Sequence, residues 1–112
     1  MDLHLELQRM QNDLQTSVKL LRQTGRLYAQ SERDYKVALS QEILHLKNEG
    51  MKVTLINTFV YGVERVANLR FERDVAEVTY KANQESINQL KLQMRLLENQ
   101  IQREWGMVGR ET

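Results

Sequence analysis

The side chains best suited to chemistry are two histidines, His4 and His45, and a group of acids, Glu72, Asp74 and Glu77. Neither histidine has a second His or a Cys three or four residues away, the spacing that would put two metal ligands on one helical face. Glu72 and Asp74, two apart, face different sides of a helix. Asp74 and Glu77, three apart, are neighbours, but Arg70 and Arg73 beside them make ion pairing the simpler role. There is no glycine-rich phosphate loop, no nucleophile elbow and no supported Ser-His-Asp order. These residues point to no enzyme, and no cofactor or metal is expected.

A second set carries charge. Lys19, Arg22, Arg26, Arg33 and Lys36 fall at offsets of 3, 4, 7 and 3, along one outer face of a helix. No acid occurs from Leu14 to Ser31, so that stretch holds a local charge of +3. Such a row can track a phosphate backbone or meet an acidic partner, or it can serve only to solvate a face. Tyr28 and Tyr35 are out of phase with it, which argues against base stacking.

The elements that carry these residues are long helices. In 112 residues there is no proline, where average usage of about 5% would supply roughly five or six. Absence of the strongest helix breaker favours uninterrupted helices, and the length suits one domain. The net charge of +1 indicates neither a nucleic-acid mimic nor a duplex-coating protein. Without cysteine there are no disulfides or thiolate sites, which suits a reducing cytosol. The N-terminus lacks a basic segment followed by an apolar one, and no stretch approaches the roughly 20 apolar residues of a bilayer span. A soluble, cytoplasmic protein is expected, without membrane contact.

The first helix is predicted over about residues 3–48. Leu7, Leu14, Leu21, Tyr28 and Tyr35 recur every seven residues, with Leu3, Met10, Ser17, Thr24, Ser31 and Ala38 as companions. Further apolar residues at Val18, Leu20, Leu27, Val37, Leu39, Ile43, Leu44 and Leu46 widen the stripe beyond what one partner helix covers. Gly50 fits a C-terminal cap with positive φ. Residues 49–62 form an elbow, where local propensity says strand. A lone strand has no ladder partner, so a loop with a short helical turn, capped by Thr54 or Thr58, is expected instead.

The last helix is predicted over about residues 63–105, with 106–112 a flexible tail. Its seam runs through Val66, Leu69, Arg73, Ala76, Tyr80 and Asn83 to Ile87, Leu90, Met94, Leu97, Ile101 and Trp105. A second stripe holds Phe71, Val75, Val78, Ala82, Leu92 and Leu96. Polar Arg73 and Asn83 within an apolar seam fix register and oligomer state, Arg73 by pairing with Asp74 or Glu77 of another copy. The fold class is all-α: a long antiparallel, coiled-coil-like hairpin with a short elbow. Since the hairpin has one interface and uncovered second stripes, it is expected to self-associate into a helical bundle, with a dimer favoured. Leu55, Ile56, Phe59, Val60 and Tyr61 make an apolar elbow tip that either closes the hairpin end or docks a protein partner.

Several runs resemble a family. They are Gly50 followed by Thr54-Leu55-Ile56, then Val66-Ala67, Leu69-Arg70, Arg73-Asp74, Ala76-Glu77, Tyr80-Lys81-Ala82 and Ile87. Lys91-Leu92, Arg95, Leu97-Glu98, Gln100-Ile101 and Arg103-Glu104-Trp105 extend the set. Over about residues 50–105 the chain is similar to small helical proteins of uncharacterised role from phages and prophages of Gram-positive bacteria. In that resemblance, such genes lie in early regions near recombination or single-strand-binding functions. The resemblance implies an accessory of phage DNA replication or recombination, or an inhibitor of a host defence or nuclease complex, and so a partner of phage or host origin. The alternatives are a nucleic-acid binder using the basic face, and a scaffolding component of the phage.

Overall fold

The computed structural model describes residues 2–111, with side chains as far as Met107. It is an all-α hairpin of two long helices, α1 (Leu3–Asn48) and α3 (Glu64–Glu111), joined through a short helix α2 (Val53–Phe59) and a 3₁₀ turn (Val60–Gly62). There is no strand among the described residues. Residues 106–111, expected as a flexible tail, continue α3 by six residues past the predicted end, and Thr112 lies outside the described residues.

The ends of α1 are written in its sequence. The Asp2 carboxylate accepts from the backbone N–H groups of His4 and Leu5, at 3.0 and 3.2 Å, satisfying two of the free donors of the first turn. At the other end Gly50 has φ of 86°. The Met51 N–H donates to the Leu46 carbonyl and the Gly50 N–H to the Lys47 carbonyl, the paired bonds of a Schellman stop. Met51 then packs on the cluster that includes Leu46.

The chain groups into two units: the residues up to Arg22 with those from Ala82, and Gln23–Lys81. In the Gln23–Lys81 unit the core is Tyr35, Leu46, Ile56, Val60 and Val66, with Leu39, Ile43, Met51, Val63 and Leu69 packed against it. Here α1 and α3 run antiparallel: Gln41 meets Arg65, Glu32 meets Arg73, and Tyr28 meets Tyr80. The 3.1 Å approach of the Tyr80 ring to where a Cβ would stand on Gly25 shows why a mid-helix glycine belongs there.

In the other unit Asn83, Ile87 and Leu97 are buried, with Leu90, Met94 and Ile101 half-buried. On α1, Leu3, Leu7, Met10, Leu14, Ser17 and Leu21 are half-buried at the seven-residue repeat. Asn83 Nδ2 donates to the Ser17 carbonyl at 3.2 Å, so this seam amide is spent on a backbone acceptor. Trp105, expected to close the seam, is 67% exposed. Four residues after Ile101, where the repeat calls for three, it falls beside the seam.

The elbow holds a short helix where a helical turn was expected, extended by a 3₁₀ turn, and no strand. A run rich in β-branched residues becomes helix because Ile56 and Val60, four apart, both enter the core, and burial overrides propensity. Neither Thr54 nor Thr58 caps α2. Lys52, in extended conformation, occupies the cap position without a side-chain bond, and its carbonyl accepts from the N–H groups of Leu55 and Ile56.

Candidate functional site

The tip of the hairpin is α2 and the 3₁₀ turn, a segment without a charged residue from Val53 to Val63. Its five predicted contact residues divide by helical phase. Ile56 and Val60 are 2% and 1% exposed and belong to the core, so they are removed from the partner-binding set. Leu55, Phe59 and Tyr61 face outward, Phe59 being 56% exposed, and Val53 joins them. The inward pair anchors the outward set: each outer side chain sits on a turn whose opposite side is packed. Arg70 lies over the Tyr61 ring, 5.5 Å from its centroid, placing a cation at the edge of the apolar surface.

The basic row of α1 is exposed throughout, but only part of it is unneutralised. Arg33 pairs with Asp34 and Lys36 with Glu32, both at 3.2 Å. Lys19 and Arg22 in one unit, and Arg26 in the other, have no ion-pair partner among the described residues.

Arg73 resolves within its own chain. Its guanidinium donates to Asp74 at 2.9 Å and to Glu32 across the hairpin at 3.5 Å, and lies 4.6 Å from the Tyr35 ring centroid. The hydrogen bond with Asp74, followed by the charges of Asp74 and Glu32, outweighs desolvation and raises its pKa further above the ordinary value. Within the chain, then, Arg73 has its acidic partners in Asp74 and Glu32. Glu77 accepts from Lys81 at 2.7 Å, which lowers the acid's pKa and raises that of the amine.

His4 is exposed at the first turn, and His45 Nε2 lies 3.2 Å from Glu49 in an exposed pair. Among the described residues no three metal-ligating side chains converge, and no helix is long and apolar enough to cross a membrane. Comparison with known proteins gives no match to a family model, to a curated protein or to a solved structure.

Proposed function

We propose that this chain works by contact: a self-associating helical protein, not an enzyme, whose elbow tip captures a protein partner. The observation that carries the reading is the division of the tip. Leu55, Phe59 and Tyr61 stand exposed on a segment that Ile56 and Val60 hold in the core. A fixed, uncharged, aromatic surface is the composition of a binding hot spot. The proposed setting is that of the resembled phage proteins, an accessory of DNA replication or recombination or an inhibitor of a host defence or nuclease complex in the host cytoplasm.

The test is affinity capture from phage-infected and uninfected lysates, with the native chain and the Phe59→Ser/Tyr61→Ser variant. The reading expects a specific protein to be lost with the variant while helicity and oligomer state are unchanged. An identical captured set with both chains refutes the tip as the contact.

The unneutralised Lys19, Arg22 and Arg26 favour a second reading, direct nucleic-acid binding. Changing all three to Gln then weakens oligonucleotide binding steeply and flattens its salt dependence, by a slope of about 0.7–0.9 per lost phosphate contact. Absence of any shift by the native chain at low salt removes this reading.

A further inference from the structure

In the Gln23–Lys81 unit, three apolar side chains of α3 stand outside the seam. Phe71 and Val78 are 64% and 68% exposed, and Val75, between them, is exposed as well. At about 100° per residue the three share one arc, on nearly the opposite side of the helix from Val66, Leu69, Arg73 and Ala76. A helix with apolar rows on two sides has one more row than a hairpin can cover. The sequence continues the outer row with Ala82 and then ends it with Glu85 and Gln89.

We infer that this row docks a second copy of the same chain, α3 against α3 in antiparallel orientation. The inference rests on the self-association reading above and gives it a surface and a register. The spacing of four, three and four from Phe71 to Ala82 is that of a heptad seam. With two copies antiparallel about a two-fold axis, Val75 lies opposite Val78 of the second copy.

Charge selects the same arrangement. Asp74 and Lys81 lie seven residues apart on one flank of the row; each has a partner in its own chain, Arg73 and Glu77, yet both side chains remain exposed. The two-fold brings Asp74 of each copy to Lys81 of the other, giving two reciprocal pairs of opposite sign. A parallel alignment sets Asp74 towards Thr79 and Lys81 towards Ser86, and matches neither charge. So short a row makes a small contact, below about 1,200 Å², the class of weak and reversible association.

The chain has no cysteine, so single-cysteine probes report without interference. Full-length chains carrying Val75→Cys and Val78→Cys are mixed and mildly oxidised, and the native chain and Val78→Asp are compared by sedimentation equilibrium. The mixed disulfide should exceed either self-disulfide by at least about fivefold, since only opposed positions bring Cβ atoms within reach. Val78→Asp should weaken self-association by at least about tenfold at unchanged helicity. Self-disulfides equal to or exceeding the mixed product overturn the antiparallel register. Unchanged association of Val78→Asp overturns the surface while leaving self-association intact. A native chain that stays monomeric at about 100 µM, where contacts of this class form, overturns both.

Discussion

The Arg73 guanidinium covers the face of the buried Tyr35 ring while donating to Glu32 on the same helix as that ring. A cation thereby occupies a seam position in which its charge, its donors and its flat face all have partners. Arg73→Ala removes the stacking, worth about 0.5–2 kcal/mol, and a partly exposed ion pair worth about 0–1 kcal/mol. A net loss of about 1–2 kcal/mol is expected in urea unfolding. Arg73→Met keeps the volume without the buried charge and should stay within about 1 kcal/mol of the native chain. Equal losses in the two variants would show that the polar layer, not packing volume, is at stake, and would overturn the expectation for Arg73→Met.

Gly25 and Tyr80 are coupled by shape. A Cβ on Gly25 would stand 3.1 Å from Tyr80 Cε2, so the ring must yield by a few tenths of an ångström. Replacing a mid-helix glycine with alanine gains about 1 kcal/mol when nothing opposes it. Gly25→Ala should realise less than half of that in the native chain and all of it in a Tyr80→Ala background. A double-mutant cycle of denaturation measurements checks this, and equal gains in both backgrounds would remove the proposed contact.

Gly50 is needed for its backbone alone. Its φ of 86° is left-handed, and a Cβ there would meet nothing within 4 Å. Gly50→Ala should cost about 1–2 kcal/mol, and Gly50→Asn, better suited to that conformation, less. Thermal melts of both variants test the order.

Glu77 and Lys81 set a pH window. The acid's pKa is lowered in the folded chain by the bond from Lys81, so its contribution is present above its ordinary value of 4.5 and is lost as pH falls through the lowered value. The amine's pKa is raised, so its contribution is full below 10.5 and is lost as pH rises through the raised value. The stability difference between the native chain and Lys81→Gln should hold between these limits and close in acid. A difference independent of pH would contradict the pair.

The elbow separates core from surface within five residues. Ile56→Ala should cost about 2–4 kcal/mol by opening a cavity. Phe59→Ala, on the outer side of the same helix, should change stability by less than about 0.5 kcal/mol. Comparable losses at both positions would return Phe59 to the core.

The seven-residue repeats of α1 and α3 were legible in the residues themselves, because a helix repeats its facing positions at fixed intervals whatever lies opposite. Gly50 could be read as a stop for the same reason: its constraint is local. What residues 51–62 do depended on contacts made across the chain. Ile56 and Val60 find Tyr35, Leu46 and Val66, and that burial turns a strand-prone segment into helix. The partner of Arg73 was also beyond local reading, since Glu32 and Tyr35 lie some forty residues away and only the antiparallel register brings them beside it. Sequence determined which positions turn toward a helix neighbour, through periodicity. Tertiary structure decided which polar side chains are satisfied at home and which apolar ones remain uncovered, because both depend on groups distant along the chain.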